Sequence, residues 1–335
     1  MTMTVDVQST RARAKAALTL AVITPVLTEL FSANMGPAEV LHPIGFLLQF
    51  LAYGVPVLLI RELAVRARVG LPGLFLMGLA YSIFNEGIIA KTLFFGPPGG
   101  GMTDYDTFFL GEIHVVWMVF ITTWHALHAV VFPIALVSAL FPEVREESWL
   151  SVPVRLAFLV VWVPAGVLGF LKFNAQYADW GYFTAFVATI VGLLLLGAKL
   201  PGRAPFFADG RPGTVWQVCL GVAFYPVLVV TPFVAVEVGA PFAILVVWPW
   251  GFASLFYLWL RRRRWDTYRP LAFIALGNYG SGSFLNMVFQ LGADPRRVDK
   301  IATLAVLTAL FAIIALWAVL RKKGQRVAPA AGSDG

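Results

Sequence analysis

Charged side chains are scarce in this sequence. Asp, Glu, Lys and Arg make up 13% of its 335 residues, against about 25% in an ordinary soluble domain. A water-soluble globule with that deficit would expose large apolar patches and aggregate. With 59% hydrophobic residues and a mean hydropathy of +0.79, lipid is the solvent that fits. Cysteine is nearly absent. Cys219 is alone, so the chain can close no disulfide within itself and build no thiolate zinc cage. Lying in an apolar run, it reads as a small buried hydrophobe. Also missing are the Gly-x4-Gly-Lys-Ser/Thr loop, His-Glu-x-x-His and Gly-x-Ser-x-Gly, so nucleotide hydrolysis is not expected in this chain.

The charge that is present is basic, at +7 net with a pI near 9.7. Its placement argues against nucleic acid as a partner. Arg261 to Arg264, the group Arg61, Arg66 and Arg68, and Arg321 to Lys323 each follow directly on an apolar run, where such charge sets membrane orientation. A hydrocarbon core about 30 Å thick needs roughly 20 apolar residues to cross. Ten runs qualify: 16–35, 41–60, 70–92, 111–140, 155–174, 181–199, 215–236, 241–260, 270–291 and 301–320. They are continuous rather than alternating, so they predict helices and not barrel strands. The expected fold is an all-α, polytopic transmembrane bundle of about ten helices, in contact with the lipid bilayer.

Placing Arg11, Arg13 and Lys15 in the cytoplasm makes the even-numbered runs exit there, each onto a Lys/Arg-bearing segment. Both termini are then inside, and the protein is a multi-pass component of the plasma membrane. Arg296, Arg297 and Lys300 break the pattern from an outer loop, which makes 270–291 the least secure span. The first run continues past Glu29 without a small-x-small cleavage site, so it reads as an uncleaved helix and not a signal peptide. Residues 1–323 form one expected membrane domain, 324–335 a disordered tail, and the glycine-rich loop at 96–101 a flexible link.

Ionisable groups at membrane depth are costly and are the default functional candidates. Glu29 lies in the first run, Glu86 and Lys91 in the third, and Glu112, His114, His125 and His128 in the fourth. Three of the chain's four histidines thus fall on one predicted helix. His125 and His128 share a face at i, i+3, with His114 nearly in line eleven residues earlier. Such a stripe suits a proton relay, a general base with a helper, or half a metal site; it equally suits interhelical hydrogen bonding. Glu86 is a candidate proton carrier. Lys91, about 140° away around the helix, is poorly placed to pair with it and close enough to the interface to snorkel outward. In the ninth run Asn278, Gly282 and Asn286 share a face, as close helix packing or as an unwound stretch lining a cavity.

The segment Asn85-Glu86-Gly87-Ile88-Ile89-Ala90-Lys91, followed by a helix with His125 and His128, resembles the glutamate-based intramembrane proteases of the CAAX-processing and bacteriocin-protection superfamily. The resemblance covers about 60 residues. It implies a hydrolase centre with Glu86, His125 and His128 as catalytic residues. The chain departs from the family's pattern where Asn85 replaces a first Glu, where the basic residue comes five positions after Glu86, and where Asn286 stands in place of a late His. The chain also resembles uncharacterised bacterial multi-pass proteins, which implies no activity. A metal-dependent variant would use both imidazoles and Glu86 as ligands; the sequence leaves the cofactor unknown. The competing reading is a carrier for a small or proton-coupled solute, with Glu86, the histidines and the Asn278–Asn286 face around one polar cavity; a non-catalytic membrane scaffold is the third possibility.

Overall fold

The computed structural model describes residues 2–95, 109–172, 179–200, 205–209, 214–239, 241–294 and 297–325. All ten predicted runs are helical. We label the helices α1 (Thr2–Phe31), α2 (Pro37–Leu41), α3 (Pro43–Arg66), α4 (Leu71–Ile89), α5 (Thr92–Phe95), α6 (Val115–Leu140), α7 (Val152–Lys172) and α8 (Trp180–Lys199). Helix α9 runs without a break through Val215–Tyr225, Pro226–Val230 and Thr231–Glu237. Helices α10 (Phe242–Arg263), α11 (Tyr268–Ala293) and α12 (Val298–Gln325) follow. A two-stranded hairpin, β1 (Phe109–Leu110) and β2 (Ile113–His114), precedes α6. The fourth helix therefore starts at Val115, four residues later than its apolar run, because Gly111 at φ +64° turns the chain there.

Eight helices among the described residues are long and apolar enough to cross a membrane. The two others predicted to span are α9, whose apolar part is the shorter stretch Val215–Val230, and α11, which is long but more polar. The loop 96–101 and the tail from 326 onward lie outside the described residues.

The bundle has two chemically different ends. At one, Arg13 pairs with Glu147 at 3.6 Å, and Arg61 donates to the carbonyls of Glu147 and Arg145, both at 2.7 Å. The segment around Phe206 joins the same end: its N–H bonds the Val69 carbonyl and its carbonyl accepts from Tyr268, at the start of α11. At the other end of α1, Lys300 donates to the carbonyls of Ala33 and Asn34 at 2.8 and 3.1 Å. Helix α11 thus runs the full length of the bundle. The cations that break the charge pattern have local work: Lys300 neutralises the carbonyl end of α1, and Arg297 pairs with Asp299 at 3.2 Å. Arg296 lies outside the described residues.

Helix α6 is the centre of the bundle and α7 the periphery. Burial covers 89% of the apolar window of α6 and none of that of α7. Helices α9 and α11 cross in backbone contact. A Cβ on Gly221 would stand 1.9 Å from the Ile274 carbonyl oxygen, and one on Gly277 2.0 Å from that of Val218. Only hydrogen fits at either place, and the two backbones touch through this pair of glycines. Asn286 ties the same helix to α1 by donating to the Phe31 carbonyl at 2.7 Å. Helix α11 is unbroken, so the small polar residues serve close packing and no unwound stretch is formed. Cys219, expected inside, is exposed on α9.

Candidate functional site

Among the described residues four helices carry a π turn, α9 at Pro226–Val230 among them, and the other three turns meet in the middle of the bundle. Phe50–Gly54 in α3, Ile83–Ile89 in α4 and Ala126–Val131 in α6 are π-helical turns. Such turns are rare and cluster at functional sites. Two of them have a direct sequence cause. Proline has no N–H, so a carbonyl one turn before it loses its helical partner. Before Pro56 the carbonyl of Ala52 accepts instead from Tyr81 Oη at 3.0 Å; before Pro133 that of His128 accepts from Tyr279 Oη at 2.6 Å.

The π turn of α4 carries Glu86. It closes with Ala90 N–H on the Asn85 carbonyl, five residues back, at 2.8 Å, and Lys91 then reverses the chain at φ +58°. That reversal returns Thr92 to the carboxylate: Thr92 Oγ1 donates to Glu86 Oε2 and accepts from Trp117 Nε1 at 3.1 Å. Asn85 Nδ2 lies 3.3 Å from Glu86 Oε1. Lys91 neither pairs with Glu86 nor snorkels. It is buried, with Nζ on the Phe170 carbonyl at 2.6 Å, where its charge complements the carbonyl end of α7.

Glu86 Oε1 and His125 Nε2 are 3.6 Å apart, both buried. His125 stacks on Tyr53, with ring centroids 6.1 Å apart, and meets Tyr81 and Trp124 edge-on. Its Nδ1 faces the Ile121 carbonyl of the preceding turn without a hydrogen bond of good geometry. Beside Tyr53 lies a second buried carboxylate, Glu29, which accepts from Asn34 Nδ2 at 2.7 Å. The acidic centre is therefore larger than Glu86 and two histidines. Glu29 was legible as a carboxylate at membrane depth; nothing in the sequence marked Tyr53.

His128 has a different destination. Its ring lies between Trp124 and Phe31, at 4.8 and 5.5 Å, and its Nε2 meets Asn278 Oδ1 of α11 at 2.8 Å. Its Nδ1 sits 3.0 Å from the Trp124 carbonyl. A neutral imidazole has one donor, which that carbonyl takes, so Nε2 must accept. Turning the Asn278 amide puts its NH2 on Nε2 and satisfies the ring in its neutral form. Residues 125 and 128 thus share a helix face and serve different interfaces. His114 leaves the stripe altogether: it precedes α6, and its Nδ1 accepts from Trp117 N–H at 3.1 Å as a helix cap. Among the described residues no three His, Cys, Asp or Glu side chains converge as metal ligands; the set of two imidazoles and Glu86 is not assembled, because His128 faces Asn278.

No curated protein and no solved structure matches the chain. A family model does, over residues 18–326, and with the apolar helices it makes this a multi-pass membrane protein. The chain belongs to the uncharacterized membrane protein family that this model describes.

Proposed function

We propose that this membrane protein is a hydrolase-like enzyme whose reacting pair is Glu86 and His125. The observation that carries the reading is their 3.6 Å approach inside a π turn that anchors the carboxylate through Thr92 and Asn85. Glu86 would take a proton from water as the oxygen attacks an electrophilic carbonyl. It would then return that proton to the leaving group, while His125 positions the water or supports the developing oxyanion. His128, set by Asn278 and the aromatic rings, is a positioning residue that holds α6 in register. The basic end is read as cytoplasmic, which puts the N-terminus and the Arg61, Arg145 and Arg264 segments inside, in a plasma membrane.

The test is cleavage of membrane-embedded reporter peptides by protein reconstituted in liposomes, with products identified by mass spectrometry. Glu86→Gln should abolish turnover while the unfolding midpoint stays put. Loss of folding without any measurable wild-type turnover would leave Glu86 and His125 as a tie between α4 and α6 and overturn the proposal. A second reading, proton-coupled transport, draws on one further observation: Glu29, Tyr53, His125 and Glu86 lie in one buried cluster built from four helices. Its mark would be solute uptake driven by an imposed pH gradient and lost in Glu29→Gln as well as Glu86→Gln.

A further inference from the structure

At the basic end of α10 four arginines follow one another, and the structure gives them different employment. Arg261 lies one turn after Tyr257 on the helix. Arg264 takes a left-handed conformation, φ +60°, and ends the helix with its N–H on the carbonyls of Leu260 and Arg261. Arg262 and Arg263 remain, exposed, and with Trp259 they border an open surface hollow of about 310 Å³. The ion pairs of the described residues engage Arg13, Arg61, Arg145, Arg155 and Arg297, and neither Arg262 nor Arg263 is among them.

The three lining residues fall at i, i+3 and i+4, on one face of the helix. One turn earlier on that stripe is Leu255, 69% exposed, and Trp259 itself is 36% exposed. The stripe therefore passes from a lipid-facing leucine, through an indole at the interface, to two guanidinium groups. Indoles favour the headgroup level of a bilayer, and a guanidinium fork matches phosphate oxygens in pairs. Arg263 also lies over the Trp259 ring, its Cζ 5.8 Å from the centroid, which holds the fork beside the hollow.

We infer that Trp259, Arg262 and Arg263 form a binding site for the phosphate of an anionic phospholipid headgroup. The continuity with Leu255 favours a lipid over a free anion, because the acyl chains of the bound molecule would lie along the exposed apolar face of α10.

The experiment is native mass spectrometry of the full chain released from phosphatidylcholine nanodiscs containing a fixed fraction of phosphatidylglycerol. Wild type should retain phosphatidylglycerol selectively. The double variant Arg262→Gln, Arg263→Gln should weaken that retention by about tenfold or more, and the control Arg261→Gln, Arg264→Gln should keep it. Equal loss in both pairs, or loss in neither, overturns the site. If inorganic phosphate alone raises the unfolding midpoint as much as phosphatidylglycerol does, the ligand is a free anion and the lipid assignment is overturned. Should the glutamine pair fail to fold, Arg262→Lys with Arg263→Lys keeps the charge and removes the fork. Selectivity should then fall, and unchanged selectivity overturns the two-guanidinium site.

Discussion

Two clusters of buried charge in this molecule are built on opposite plans. At the basic end Arg61 and Glu62 are 0% and 1% exposed, and both are held by several partners, with only Arg61 Nε left over. Arg61 bonds Glu62 at 2.7 Å and two carbonyls, and stacks 3.5 Å above the Trp149 ring. Glu62 accepts from Trp149 N–H at 2.9 Å and from Ser148, and Arg155 stands 3.6 Å away. Around Glu86 there are instead hydroxyl, amide and imidazole groups, which can satisfy either protonation state of a carboxylate. A compensated cluster locks a structure in one charge state, whereas one lined by neutral donors leaves a proton free to come and go.

The sharpest way to break this comparison is Arg61→Ala. It removes the 2.7 Å partner of buried Glu62, leaving Arg155 at 3.6 Å as its only cation, and should cost about 3–5 kcal/mol, read by steric trapping in bicelles; a loss below about 1 kcal/mol would refute the lock. Next is Gly277→Ala, whose Cβ collides with the Val218 carbonyl. It should cost about 1–3 kcal/mol, with Gly221→Ala alike and a cysteine cross-link between α9 and α11 slowed. His128→Phe keeps the ring stack but leaves Asn278 without its partner, for about 1–3 kcal/mol.

Glu86→Gln marks the other side of the comparison. Its neighbours accommodate an amide, so stability should change by about 1 kcal/mol or less while any acid–base function is lost. A large destabilisation there would erase the contrast between the clusters. The smallest effect belongs to Asp299. Its hydrogen bond from Arg297 holds its carboxyl below the ordinary value of 3.8. Its contribution is therefore present above that value and fades as pH falls through the lowered one. Asp299→Asn should flatten only that acid limb of a melting-point-versus-pH curve.

Much of the fold was legible because lipid imposes one rule on every span. Runs of apolar residues had to be helices, and the Arg and Lys flanks that alternation assigned to one side do gather at one end, as Arg13, Arg61, Arg145 and the start of α11 show. Composition does not carry the boundaries, since Gly111 and Lys91 end elements by backbone conformation inside otherwise apolar stretches. For the site, Glu86 meeting His125 was legible from helix adjacency and spacing. That His128 turns to α11 was not, because sharing a face says nothing about which neighbour each end of that face touches. Nor could the freed carbonyls at Ala52 and His128 be placed, although Pro56 and Pro133 announced them: a proline marks where a partner is lost, and only tertiary structure supplies the new one.

The glycine contact between α9 and α11 has a consequence for how the chain is made. Helix α11 carries Asn278, Tyr279 and Ser283 along buried faces, and its composition keeps it outside the set of helices apolar enough to cross alone. A segment of that kind leaves the translocon reluctantly, since each bare amide or hydroxyl would face hydrocarbon. Helix α9 precedes it by about thirty residues of chain and presents Gly221 as a flat landing surface, while α1 and α6 offer the Phe31 carbonyl and His128 as waiting partners. Insertion of α11 is thereby coupled to synthesis order. A chain truncated after residue 293 should integrate α11 when α9 is intact, and should leave it outside the bilayer, on the side of the basic end, or lose it to quality-control proteolysis when Gly221 is replaced by leucine.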